Sequence, residues 1–212
     1  MMNREQIEQT VHDNFKFVGS VQLTVDTHGV VNVEGSLQLR NKKLDQIPVQ
    51  FGTVTGSFEI TSSAIRSLQG CPRVVLGTFS CDGCNNLTSL EGGPQTVHGY
   101  YDCQFNSLTS LKGCATRVDR MLDVRHNPLT SLEGLTPGVA QIRLNWDSHL
   151  PLLRVLELPE GFQIPAPGQQ SWDRTTQPWE KILEPYMGQG RAGALVCAAE
   201  LIRAGYKGNA RW

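Results

Sequence analysis

From Val33 onward, apolar and polar positions recur in blocks of about 21 residues. The blocks open on Val33, Val54, Val75, Val97 and Val118, at steps of 21, 21, 22 and 21, and Val139 follows 21 further on. Four residues after each valine stands a bulky apolar residue: Leu37, Phe58, Phe79, Tyr101 and Leu122. Two further on comes a smaller one: Leu39, Ile60, Cys81, Cys103 and Val124. Leu44, Ile65, Leu87, Leu108 and Leu129 follow, and then Ile47, Leu68, Leu90, Leu111 and Leu132. The apolar, polar, apolar alternation predicts one short strand per copy with one buried face. Gly and Pro at the end of each copy predict a turn. Such a unit cannot bury its apolar face alone, so the copies must stack into a solenoid of parallel strands about 4.8 Å apart.

A solenoid needs covers for its two apolar ends. "NREQIEQTVHDN" at 3–14 predicts a helix with Ile7 and Val11 on one face. The stretch that follows alternates in the strand manner around a turn at Asp26–Gly29. After residue 157 the pattern stops. A Pro/Gly-rich linker leads to "TTQPWEKILEPYM", where Trp179, Ile182, Leu183 and Tyr186 have helical spacing, Thr176 is a candidate cap and Pro185 a candidate stop. "RAGALVCAAELIRAGYKG" predicts a second helix that ends near Gly205. The expected organisation is an N-terminal cap at 1–32, a solenoid at 33–157 with five clear copies and one degraded one, and a linker with C-terminal helices at 158–212.

Three copies read "NNLTSL", "NSLTSL" and "NPLTSL". With the strand columns, they make the chain from 33 to 156 resemble the leucine-rich repeat, in its short bacterial subtype. The "SLEG-x-P" ending followed by V-x-G-x-F-x-C is similar to repeat proteins of large tailed phages. The resemblance implies an α/β solenoid: a leucine-rich-repeat arc whose parallel sheet lines a concave face. Copies of about 21 residues leave room for only an extended or 3₁₀-like convex side. Asn85, Asn106 and Asn127 are expected to form an inward ladder that satisfies turn backbone groups, with Ser63 and Lys42 at that position in the first copies.

"CDGC" at 81–84 has the spacing of a redox pair or half a zinc site. The repeat offers another account. Cys81 fills the apolar strand column beside Cys103, and Cys84 lies in the one-residue insertion that makes the 22-residue step. On that account the thiols are small core residues. A zinc site would need ligands beyond Cys81, Cys84 and Cys103, and no second close pair exists. Cys71 and Cys114 are turn equivalents two copies apart, and Cys197 falls in the last helix.

Nineteen basic residues against twenty acidic ones leave a net charge of −1, which argues against nucleic-acid binding driven by bulk charge. No apolar run approaches the roughly 18 residues that span a membrane, and the N-terminus has no secretory signal pattern. A cytoplasmic protein is expected, in the host cell if phage-encoded, with a virion location as the other possibility. The five histidines share no short metal spacing, and no phosphate-binding glycine loop occurs. Cys197 in "VCAAE" lacks the Cys-x-Asp motif of the ubiquitin ligases that carry similar repeats. The expectation is therefore no enzyme, no cofactor and no metal.

Leucine-rich arrays generally bind proteins with the concave face, and the residues alternating with the buried strand columns face that way. The columns are Ser36, Ser57, Thr78, Tyr100 and Met121; Gln38, Glu59, Ser80, Asp102 and Asp123; and Arg40, Thr61, Asp82, Gln104 and Arg125. The character changes in copies four to six, where an aromatic and a methionine stand beside charges, as in protein interfaces. The expected contact patch is Tyr100, Asp102, Met121, Asp123 and Arg125, with Arg143 and Trp146 from the degraded copy. The expected function is a protein-binding adaptor or inhibitor acting on a host protein; a virion accessory docked through its C-terminal helices is the other reading. Gln69, Glu91, Lys112 and Glu133 form a column on the back, where alternating charges should attract.

Overall fold

The computed structural model describes residues 2–145, 147, 149–159, 162–163 and 178–212, with the side chains of 162 and 163 left aside. Helix α1 (Arg4–Asn14) leads into strand β1 (Phe15–Val25), which pairs antiparallel with β2 (Val30–Leu39). Asn3 accepts a hydrogen bond from the Gln6 amide while the Gln6 side chain accepts one from the Asn3 amide, so α1 starts with a reciprocal capping box. Ile7 and Val11 are its buried residues. The hairpin turn is held by Asp26, whose carboxylate accepts from the backbone of Val30 and His28; those bonds, led by Val30, lower its pKa.

Strand β2 then starts two stacks. Its first half pairs in parallel with β3 (Gln50–Val54), followed by β5 (Val74–Val75), β7 (Thr96–Val97) and β9 (Arg117–Asp123). Its second half pairs with β4 (Phe58–Glu59), then β6 (Phe79–Ser80), β8 (Tyr101–Asp102) and again β9. Both stacks continue into β10 (Val139–Arg143), and β11 (Phe162–Gln163) adds to β10. The result is a solenoid-like stack of about five turns within one mixed sheet. The expected boundary at residue 32 falls inside β2, whose first half is also the second arm of the hairpin.

Each middle copy therefore has two short strands, not the single one expected. The reason lies in the V-x-G-x-F spacing. Valine and the bulky residue are both buried, and midway between them stands a glycine whose missing Cβ leaves room for the backbone of the preceding copy. The backbone bends there. Neighbouring turns approach so closely that a Cβ on Gly77 would lie 2.7 Å from the carbonyl carbon and oxygen of Gly56, and one on Gly99 would lie 2.4 Å from the Gly77 oxygen. The amides of Gly56, Gly77 and Gly99 bond in turn to the carbonyls of Gly35, Gly56 and Gly77. In the fifth copy Arg120 stands in the glycine column, and β9 runs on as one strand from 117 to 123.

The interior is one continuous apolar cluster. Val33, Val54, Val75, Val97, Val118 and Val139 line one wall, and Leu37, Phe58, Phe79, Tyr101, Leu122 and Ile142 line the other; all are buried. Burying one such side chain contributes about 1.5–3 kcal/mol. Phe58 and Phe79 are stacked with centroids 6.1 Å apart, and Tyr101 meets Phe79 edge-on at 5.0 Å. Phe15 of β1 joins Phe51 and Phe58 at the N-terminal end. The return segments between the second strand and the next copy carry turns and bends.

The inward polar ladder differs from expectation in its third rung. Asn106 donates to the carbonyls of Cys81 and Cys103, and Asn127 donates to those of Cys103 and Val124. One copy earlier the position belongs to Cys84, not Asn85. The Cys84 thiol donates to the Ile60 carbonyl at 3.1 Å, beside the Ser63 hydroxyl, which bonds the same carbonyl at 2.7 Å. Asn85 is exposed. Cys84 follows Cys81 by the same three residues that separate Asn106 from Cys103, so the extra residue of the 22-residue step comes after Cys84.

At the far end, α2 (Pro178–Leu183) passes into a 3₁₀ turn at Pro185, and α3 (Gly190–Arg203) stops before Gly205, which has φ +92°. Thr176 lies outside the described residues. Cys197 and Leu201 of α3, with Trp179 and Leu183 of α2, join the same core as the 3₁₀ segment Leu153–Glu157. Asn209 donates from its amide to the carbonyls of Asp147 and Leu150, both at 2.9 Å, tying the C-terminal residues to the last turns of the stack.

Candidate functional site

The outer surface of the second stack is a row of polar side chains in strict register: Gln38, Glu59, Ser80, Asp102, Asp123 and Arg143. Strand alternation sends these outward while their neighbours fill the core. The row divides into two electrostatic halves. Asp123 is only 8% exposed and is held by two arginines. Arg125 donates from Nε and Nη2 at 3.0 and 2.9 Å, and Arg143 lies 3.6 Å away. The pairing with Arg143 arises because β9 and β10 are offset by 20 residues at this point, which sets Arg143 beside Asp123. Three of the seven expected patch residues thus form an internal ion cluster.

Asp102 has no such compensation. It sits beside Asp123 in the ladder, like charge next to like charge, and accepts from the Gln104 backbone and side-chain amides at 3.2 and 3.0 Å. Asp82 lies close to both. Its pKa is raised, first by loss of solvent and then by the charges of Asp102 and Asp123. Its Oδ1 is shielded from solvent and has no hydrogen-bond partner. Glu59 accepts from Gln38 at 3.1 Å. Among the described residues, no Lys, Arg or His forms an ion pair with Glu59, Asp82 or Asp102.

Tyr100 is 49% exposed, and the guanidinium of Arg120 lies over its ring at 5.9 Å. Tyr100, Arg120 and Met121 line a depression with His98, Asp119 and Gln141. There His98 Nδ1 meets Asp119 Oδ2 at 2.6 Å, and Arg117 donates to Asp119 Oδ1 at 2.6 Å. The Arg117 hydrogen bond is the main reason that Asp119 titrates below the usual carboxylate range. Ser36 and Ser57, expected as face residues, instead accept from the next copy's backbone amide at 2.9 and 3.1 Å. Trp146 lies outside the described residues.

Sequence reasoning missed an aromatic pair at the rim of this face. Phe105 and His126 are stacked with centroids 4.1 Å apart and planes 9° from parallel. Both have left-handed backbones, φ +50° and +57°, and Phe105 is 50% exposed. Their column, two residues past the inward strand position, holds Ser62 at φ +50° and Gly83 at φ +69° in the two copies before Phe105. A signal was present: large rings stand where earlier copies have Ser and Gly. They fell in a stretch read as a turn.

The thiols take no part in this surface. Cys71, Cys81, Cys84 and Cys103 are free and buried, and Cys114 is free and partly buried. Burial raises the pKa of Cys71, Cys84 and Cys103, and pushes Cys114 up to about 12. A thiol held neutral in this way is a poor nucleophile. Among the described residues no three His, Cys, Asp or Glu side chains are placed to hold a metal ion, and no helix is long and apolar enough to cross a membrane. Compared with protein-family models, with curated proteins and with solved structures, the chain matches none.

Proposed function

We propose that this chain is a non-enzymatic protein-binding module that uses the outer face of its second strand stack, around copies four to six. In this reading the chain is a relative of leucine-rich-repeat proteins, encoded by a phage, and acts as an adaptor or inhibitor on a host protein. The helix and hairpin at the N-terminus and the helices at the C-terminus close the ends of the stack. The observation that carries the reading is the surface itself. Tyr100 stands half exposed beside Met121, and uncompensated carboxylates lie next to them above a buried apolar core. Exposed aromatic and methionine side chains beside charges are favoured interface material. The inward Asn106 and Asn127, each bonded to strand carbonyls, support the kinship with the leucine-rich repeat.

The test is affinity capture from bacterial lysate with the native chain and with Tyr100→Ala/Met121→Ala. Asp123 is a poor choice for this test, because its loss would leave Arg125 and Arg143 unpaired. One protein enriched by the native chain and lost with the folded double variant is the expected result. A specific observation favours a second reading, an assembly component that docks through α3: Leu195, Val196 and Ile202 are 83%, 55% and 50% exposed on that helix. Enrichment that survives the double variant and is lost with Leu195→Glu/Ile202→Glu would overturn the first reading in favour of the second.

A further inference from the structure

Glu59, Asp82 and Asp102 occupy neighbouring copies of one face, and the nearby arginines are spent on Asp123. The surface therefore holds a local negative charge that the whole chain, at −1, does not suggest. Asp82 marks its centre, with an oxygen removed from solvent and left without a donor. Beside it stands the Phe105–His126 stack, with His126 close to the Asp82 carboxyl. Non-glycine residues pay for a left-handed backbone, and consecutive bulky ones are uncommon. Phe105 and His126 adopt it in adjacent copies, where Gly83 shows that a glycine fits.

A flat aromatic shelf beside unpaired carboxylates matches one side chain better than any other. The guanidinium of arginine is planar, weakly hydrated, stacks on rings and offers paired donors to a carboxylate; the ammonium of lysine does none of these as well. We propose that this face takes an extended, arginine-bearing segment of the partner protein, with one guanidinium laid on the Phe105–His126 stack and hydrogen-bonded to Asp82 and Asp102. The proposal rests on the reading of this face as protein-binding and adds the chemistry of the partner. Glu59 lies two strands from Asp102, about 9.6 Å at the usual strand spacing, and a polyproline-II segment advances about 3.1 Å per residue with three residues per turn, so side chains three apart point the same way. A second cation three residues from the arginine reaches Glu59 if the segment runs along the stack.

The experiment is selection of a random 12-residue peptide library on the full chain, read by sequencing, with three variants in parallel. Asp82→Asn/Asp102→Asn removes the charge and keeps the shape. Phe105→Gly removes the shelf and keeps the backbone conformation. Tyr100→Ala tests the face away from the shelf. Circular dichroism verifies that each is folded. The expected result is enrichment of arginine over lysine by about fivefold, with a second basic residue three positions away, and loss of that enrichment on the first two variants. Arginine peptides retained equally by those two variants overturn the proposal, and so does the absence of any enrichment. Selected peptides that lack arginine but depend on Tyr100 overturn it while leaving the protein-binding reading in place. Peptides insensitive to all three variants overturn both.

Discussion

Replacing Phe105 by glycine should separate stability from binding. Four terms set the size of the stability effect. Relieving a left-handed backbone at a non-glycine residue gains about 1–2 kcal/mol. Glycine gives back about 0.5–1 kcal/mol through the entropy of the unfolded chain. The ring is 50% exposed, so its removal forfeits about half of a full burial term, about 1 kcal/mol. The stacked contact with His126, itself exposed, adds about 0.5–1.5 kcal/mol. The balance is a loss of about 1 kcal/mol, or about 2–4 °C in Tm for a chain of this length. Phe79, equal in size but fully buried, should cost about 3–5 kcal/mol when cut to alanine. Urea unfolding of the two variants, followed by circular dichroism, gives both numbers on one scale. A loss of 3 kcal/mol or more for Phe105→Gly would refute the reasoning, because it would show that the ring is held for packing. Near-native stability with arginine-peptide binding lost would show that the strain is kept for contact.

Three other substitutions test the remaining arguments. Gly77→Ala places a methyl 2.7 Å from the Gly56 backbone and should cost about 1–3 kcal/mol, seen as a lower urea midpoint. Tyr101→Phe removes a buried hydroxyl that has no hydrogen-bond partner and restores the ring found at the two preceding rungs; a gain of about 1 kcal/mol is expected, and a loss would mean the hydroxyl is satisfied in solution. Asp82→Asn should stabilise the chain at neutral pH. The folded-state pKa of Asp82 is raised, so the folded form binds the proton more tightly than the unfolded one. Its favourable contribution is complete below the unfolded value of about 3.9 and is lost as pH rises through the folded value. The stability advantage of the variant should therefore grow with pH across that window, in thermal melts from pH 3 to 7; an advantage independent of pH would count against the charge argument.

The inward columns could be read from the string because burial leaves a clean chemical mark: valine, leucine or phenylalanine at fixed offsets, repeated five times. The bend could not, because a glycine that makes room for a neighbouring backbone leaves no mark of that kind. Gly56, Gly77 and Gly99 look like turn residues until the close approach of adjacent backbones is known. The third rung of the polar ladder is hidden for a related reason. In "CDGCNNL" three residues compete for one inward place, and the asparagine of the neighbouring copies points to Asn85. A thiol is a weak hydrogen-bond donor, yet Cys84 reaches the Ile60 carbonyl because it keeps the three-residue distance from its strand. Distance along the chain outweighed chemical likeness.

The face shows the opposite limit. Its membership followed from alternation, but its charge did not follow from its membership. Asp102 and Asp123 are the same residue type in the same column, one strand apart. Asp123 has two arginines because Arg125 folds back two residues and β10 arrives with an offset of 20 that sets Arg143 beside it. Asp102 has Gln104 at the place of Arg125, so its charge stays open. A partner meeting this surface finds carboxylate at one rung and an already neutralised cluster at the next. The direction in which a cationic segment can lie is thereby set: toward Asp82 and Glu59, away from Asp123. Exchanging Gln104 for arginine should close Asp102 in the same way, and arginine-peptide binding should fall while the fold is kept. Undiminished binding to Gln104→Arg would mean that the open charge of Asp102 is not what the partner reads.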